Sequence, residues 1–330
     1  MNKFVVAFIH LRAIMNLTGP PAPLTQRCAM WPRGGVLFLW VNQMELKRPT
    51  TLDEQIALIK SRNCEMGDEN YCKDVLQRVN YYRFSAYFLP FRDELGNYRE
   101  GTTFDRVYRI YEFDRKMRHL LLSLLEEVEI SLRMQLSYFH AHKYGALGYE
   151  QAANFNKKHR HDRFMQQVKI EIERNKNALF VKHHMLKYGG KFPIWVIVEL
   201  FTFGMLSHFY ADLKRGEAGR LASELFDVSQ GNVVSWLKCC TDLRNVCAHY
   251  GRLYYTTFPS TPATPSNSDF RLGEKLFDYI LIVKRLYPDK VRWYHETMPA
   301  LQALIEEYST DIHLPHIGFP TNWESVMRMY

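Results

Sequence analysis

Glycine and proline are scarce in this 330-residue chain, 17 and 14 residues. With an ordinary 24% of charged residues, that scarcity excludes collagen-like, low-complexity and largely disordered organisation. No uninterrupted apolar run is long enough for a membrane span. The longest, Phe192 to Tyr210, is broken by Glu199 and His208, so no membrane partner is expected. No CxxC spacing occurs among the six cysteines, and Cys239 and Cys240 are adjacent. That pattern argues against a zinc site and a disulfide framework, and favours reduced thiols packed as small hydrophobes in a cytoplasmic protein. A clean secretory leader is missing too, because the run Phe4 to Ile9 is cut short by His10 and Arg12. No metal and no cofactor are expected. The chain is instead rich in hydrophobic (47%) and aromatic (14%) residues, enough for a large core.

The first 43 residues lack any Asp or Glu and carry Lys3, Arg12, Arg27 and Arg33, about half of the net charge of +8. Prolines at 20, 21, 23 and 32 and the Gly34-Gly35 pair interrupt this stretch, and no helical period develops. The pattern changes after Met44. Thr51 to Glu54 has capping-box spacing ahead of Ile56, Leu58 and Ile59. Residues 1–43 therefore read as an upstream extension or a disordered tail, residues 44–330 as the folded domain, and Met44 as the initiator. The mildly basic body permits a polyanionic partner such as RNA without requiring one.

From there the periods are helical and an all-α fold is expected. Helices are predicted over about 52–62, 69–80, 103–144, 162–175, 178–188, 194–213, 217–226, 229–250, 273–287 and 289–308, followed by an irregular tail. The stretch from Thr103 to Tyr144 has neither proline nor glycine, and its stripe includes Leu121, Leu125, Val128, Leu132 and Leu136. The aromatics of Asn80 to Phe91 could stack on bases, but at helical spacing they read first as core. Lys157, Lys158 and Arg160 form a short basic run that reads first as a solvated helix start and, more sharply, as RNA phosphate contacts.

The chemistry-bearing candidates lie in Leu243-Arg244-Asn245-Val246-Cys247-Ala248-His249, with Arg252 just beyond. An Arg-x4-His spacing alone carries no weight: with about 25 arginines and 13 histidines, roughly one arises by chance. Arg133 and His140 make such a pair with six residues between. On a helix Asn245 and His249 share a face, while Arg244 is rotated from His249 by about 140°. Arg244 and His249 converge only at a frayed helix end near Gly251 or across a two-fold axis. The plainer reading of His249 is a capping residue at a helix C-terminus.

A resemblance joins these segments. Asn80 to Tyr87, Tyr111 to Arg118, Glu126 to Arg133, Pro193 to Glu199 with Phe203-Gly204, Leu243 to His249 with Arg252-Leu253, and Gly318 to Trp323 resemble, in order, the Abi-like (abortive infection) family of phage-defence proteins. The likeness covers roughly 280 residues from Lys47 onward. It implies membership of the HEPN superfamily, with an HEPN-like helical bundle carrying additional N- and C-terminal helices. The superfamily's ribonucleases carry Arg-x4–6-His with a polar residue after the Arg, a pattern that Arg244, Asn245 and His249 meet. The resemblance further implies a homodimer with a composite, metal-independent site and, for some members, a structured noncoding RNA regulator.

Those residue types suit RNA cleavage. The 2′-hydroxyl must lose a proton and the leaving 5′-oxygen must gain one, and an imidazole can do either near neutral pH. A guanidinium offers a planar, permanently charged fork to phosphorane oxygens. The expected enzyme is thus an endoribonuclease, with His249 as general acid/base, Arg244 stabilising the phosphorane, Asn245 positioning, and Arg252 a secondary RNA contact. The alternative is a non-catalytic RNA-binding or phage-sensing dimer. The reading of Met44 as initiator predicts that protein expressed from its native locus has an intact mass counted from Met44; a mass that includes Met1 refutes it.

Overall fold

The computed structural model describes Leu46 and residues 48–330 apart from Asn267. Residues 1–43, the Met44 start and Cys28 lie outside them. The fold is all-α. Among the described residues only two isolated bridges, Glu65 with Thr103 and Arg92 with Tyr98, have β character. The chain divides into two compact units, one ending at Tyr108 and the other running from Arg109 to Tyr330.

The first unit contains α1 (Leu52–Lys60), α2 (Glu69–Arg78), α3 (Tyr81–Ser85) and a 3₁₀ segment, Ala86–Phe91. The capping box at α1 is complete: Glu54 N–H donates to Thr51 Oγ1 at 3.2 Å and Thr51 N–H to Glu54 Oε2 at 2.8 Å. The aromatic segment is core. Phe84, Tyr87 and Phe88 are buried, with Phe84 edge-on to Phe88 at 5.3 Å. Tyr82 points to solvent.

The long helix α4 (Phe104–Tyr144) begins where Thr103 Oγ1 accepts from Arg106 N–H and stops at Gly145, whose φ of +79° lies in the left-handed region that glycine favours. Within the second unit its buried residues include Phe113, Met117, Leu121, Leu125, Val128, Leu132 and Leu136, one side of the helix throughout. After it come α5 (His161–Arg174), α6 (Leu179–Lys187), α7 (Ile194–Ile197), α8 (Phe203–Asp212), α9 (Arg215–Phe226), α10 (Gln230–Ala248), α11 (Leu276–Leu286), α12 (Lys290–Arg292), α13 (Met298–Glu307) and α14 (Trp323–Met329). No helix among the described residues is long and apolar enough to cross a membrane.

Three segments differ from the sequence expectation. The helix expected over 194–213 is broken after Leu200, because Arg133 Nη1 donates to the carbonyls of Val198 (2.6 Å) and Phe201 (2.7 Å) and Thr202 caps a fresh helix at Met205 N–H. A π-helical turn, Trp293–Thr297, interrupts the last long helix between α12 and α13. The tail is ordered rather than irregular. It contains a 3₁₀ turn, Leu314–Ile317, and α14, and Gly318 is needed there because a Cβ would lie 2.4 Å from Lys275 Cβ.

Arg133 and His140, the decoy pair, both serve the fold. His140 is fully buried, with ring contacts to Tyr144, Phe155 and Phe209, and neither ring nitrogen has a hydrogen-bond partner among the described residues. Burial pushes its pKa down to about 4, against a weaker upward pull from Glu217. The unfolded chain therefore binds a proton here between about pH 6.5 and pH 4 that the native state refuses, so stability falls as pH drops through that window. Urea unfolding at pH 7 and pH 4.5 should show a loss of about 2 kcal/mol from this group. His140→Leu should shrink the wild-type pH difference by that amount; an undiminished difference counts against the assignment.

Candidate functional site

Helix α10 starts at Ser229, whose hydroxyl accepts from Asn232 N–H at 3.2 Å. Val233, Trp236, Leu237, Cys240, Leu243 and Cys247 then fall on one side and are buried. Polar groups in the first half of the helix hold the loop beyond it. Ala263 accepts from Asn232 Nδ2 and Trp236 Nε1 at 3.0 and 2.8 Å, and its N–H donates to Ser235 Oγ at 2.9 Å. With Leu243 and Cys247 facing inward, Asn245 and His249 take the outward line and are exposed. Arg244 lies about 100° from either neighbour, at the edge of the buried stripe, and is half-buried.

The helix end is locked. His249 is its cap residue, Tyr250 N–H donates to the Cys247 carbonyl (3.1 Å) and Gly251 N–H to the Val246 carbonyl (2.7 Å), the paired bonds of a Schellman ending. Tyr250 occupies the left-handed position at φ +59°, unusual for a side chain of its size, and is exposed. Gly251 is required by close approach, since a Cβ would lie 2.8 Å from Val246 Cγ1.

Residues 251–254 are held from α4. Asp114, fully buried, accepts from Leu253 N–H at 3.1 Å, from Tyr254 N–H at 2.7 Å and from Arg118 Nη1 at 2.6 Å. Arg118, also buried, donates from the same nitrogen to the Gly251 carbonyl at 3.2 Å. Tyr254 OH in turn accepts from His313 N–H and meets His316 Nδ1, both at 2.9 Å. The segment after His249 is thus tied to α4 on one side and to the C-terminal segment on the other.

The expected catalytic residues are brought together only in part. Arg244 Nη1 lies 3.4 Å from Asn245 Oδ1, a long contact. Arg244 also lines an open cleft of about 420 Å³ against α4, beside Glu126, Glu129, Ile130 and Arg133. Neither Asn245 nor His249 lines that cleft. The His249 imidazole makes no hydrogen bond among the described residues, and regular helix through Ala248 keeps the rotation of about 140° between it and Arg244. Arg252 is half-buried, and its carbonyl accepts from Thr256 Oγ1 at 3.1 Å. Lys157, Lys158 and Arg160 are exposed in the turn before α5, where Lys158 N–H donates to Asn156 Oδ1 and His159 Nδ1 meets Asp212 Oδ2, both at 2.8 Å. No hydrogen bond or ion pair among the described residues joins them to Arg244 or His249.

Sequence reasoning missed the roles of Asp114 and Arg118. The available signal was an opposite-charge pair four residues apart inside the apolar stripe of a long helix. Cys247, adjacent to the candidates, is no nucleophile: burial raises its pKa to about 12. No group of three or more His, Cys, Asp or Glu among the described residues could hold a metal ion.

The family model for Abi-like protein matches residues 74–255, more than half of the chain. That span includes Asp114, Arg118, Arg133 and all the candidate residues on α10 and its loop. No curated protein and no solved structure matches the chain.

The clamp has a measurable energetic consequence. Arg118→Ala strands a buried carboxylate and should cost about 3–5 kcal/mol in urea unfolding at pH 7. Asp114→Asn, which leaves the buried Arg118 guanidinium without its carboxylate, should cost a comparable amount. A loss below about 1 kcal/mol for Arg118→Ala would show that the pair does not hold the fold.

Proposed function

Because this chain belongs to the Abi-like protein family, we propose that it serves abortive infection, a phage-defence response, as a metal-independent endoribonuclease. The observation that carries this reading is the end of α10. Arg244, Asn245 and His249 all reach solvent there, on a helix terminus locked by the Schellman ending and by the Asp114–Arg118 clamp. Rigid support of solvent-facing polar groups is what a catalytic constellation requires.

In this reading His249 takes the 2′-hydroxyl proton and returns a proton to the leaving 5′-oxygen. Arg244 stabilises the dianionic phosphorane, and Asn245, on the same line as His249, orients the imidazole or the phosphate. The products are a 2′,3′-cyclic phosphate and a 5′-hydroxyl. Arg244 and His249 are about 7.5 Å apart along the helix axis and point in different directions, so one chain does not close the site. A homodimer that pairs two copies of this helix end supplies the missing partner, in keeping with HEPN ribonucleases. Arg252 adds a phosphate contact nearby, Lys157, Lys158 and Arg160 a more peripheral one, and a structured noncoding RNA is a fitting regulator. The proposed setting is the cytoplasm.

One observation favours a second reading, that of a non-catalytic RNA-binding or phage-sensing dimer. Glu126 and Glu129 share the Arg244 cleft; Glu129 is paired with Arg133, and Glu126 offsets the positive field that a phosphate would meet.

Incubation of the wild type, Arg244→Ala and His249→Ala with mixed RNAs in EDTA separates the readings. Cleavage should fall at least about 100-fold in each variant. Urea midpoints should stay unchanged, because neither side chain is part of the buried clamp. Cleavage that both substitutions leave intact would remove the site assignment, and RNA binding without cutting by the wild type would favour the second reading.

A further inference from the structure

A different surface of the second unit has a pattern that the ribonuclease reading does not use. Helix α6 keeps only Val181 fully buried, with His184 half-buried one turn on and its ring stacked against Phe192 at 5.3 Å. Opposite that anchor, at the outermost line of the helix, stand Leu179 and Leu186, seven residues apart and 86% and 88% exposed. Lys182, His183 and Lys187 flank the two leucines, all exposed, and Lys191 stands beyond the Gly189–Gly190 turn. No Asp or Glu occurs from Asn175 to Val198. None of Lys182, Lys187 and Lys191 forms an ion pair among the described residues. Met185 and Tyr188, about half exposed, lie nearer the anchored side of the helix and are not part of this face.

We propose that α6 is a peripheral membrane contact, which inserts Leu179 and Leu186 into an anionic lipid surface while Lys182, Lys187 and Lys191 meet the headgroups. Charge complementarity selects the partner: a one-sign cationic rim requires an anionic surface. The apex selects lipid over RNA. Aliphatic side chains offer no ring for base stacking, yet they gain free energy from the acyl boundary. The scale is that of reversible, surface-bound association, since two leucines and a few lysines fall well short of a permanent anchor. Binding of this kind leaves the α10 terminus free of any role, so the inference stands apart from the proposed nuclease activity.

The test is flotation of the full-length protein with vesicles of phosphatidylcholine alone and of phosphatidylcholine mixed with phosphatidylglycerol. The protein should float with the mixed vesicles at low salt, stay unbound with phosphatidylcholine alone, and be released as salt rises. Leu179→Gln with Leu186→Gln should lower partitioning at least about tenfold. Lys182→Gln with Lys187→Gln should lower it by about the same factor or more. Unchanged circular dichroism and urea midpoints will show that the variants fold, as substitutions at such exposed positions allow. The proposal fails if mixed vesicles do not bind the wild type, or if the leucine pair leaves binding intact. It fails equally if the lysine pair weakens RNA binding in a gel-shift assay while vesicle flotation is absent, which would make the face a nucleic-acid contact.

Discussion

Asp114 lies out of water in the first third of α4, where an unpaired carboxylate would be costly. Its compensation is a set of donors: the Arg118 guanidinium one turn on, and the main-chain N–H groups of Leu253 and Tyr254. The turn that follows His249 depends on that arrangement. The two main-chain donors come from the segment that leaves α10, so the carboxylate fixes how the chain turns away from that helix. The Tyr250 backbone sits in a conformation that a side chain ordinarily avoids, and the paired bonds to Val246 and Cys247 together with the clamp oppose its relaxation. Polar satisfaction, rather than apolar burial alone, gives the end of this helix its definition.

Much of the fold was legible because helical periods are local. The apolar stripes of α4 and α10, the Thr51 capping box and the stop at Gly145 depend on neighbours within a few positions, and the structure has them where the pattern puts them. The break between α7 and α8 was not legible. Its cause, the Arg133 guanidinium, is 65 residues away from the Val198 carbonyl it binds, and a window along the chain holds no trace of it. The tail reads as irregular for a similar reason: the 3₁₀ turn there closes on Tyr254 and Lys275, which belong to distant parts of the chain.

The candidate residues show the same division. Helical geometry alone placed Asn245 and His249 on one line and Arg244 off it, and α10 preserves that relation through Ala248. It could not show that Arg244 faces a cleft shared with Glu126 and Glu129, because those carboxylates come from another helix. Asp114 and Arg118 lay in plain view within a family-like stretch, yet an ion pair four apart is common on solvated helix faces. Only burial distinguishes the clamp from that commonplace.

The clamp also links positions 139 and 140 residues apart in sequence, from Asp114 to Leu253 and Tyr254. Contacts of such long range form late, after local helices have already condensed. A polypeptide still emerging from the ribosome can therefore coil α4 and most of α10 while the terminus bearing His249 has nothing to fasten to. The finished geometry appears only once translation has passed Tyr254, so partial chains lack the feature on which any reactivity at this terminus would rest.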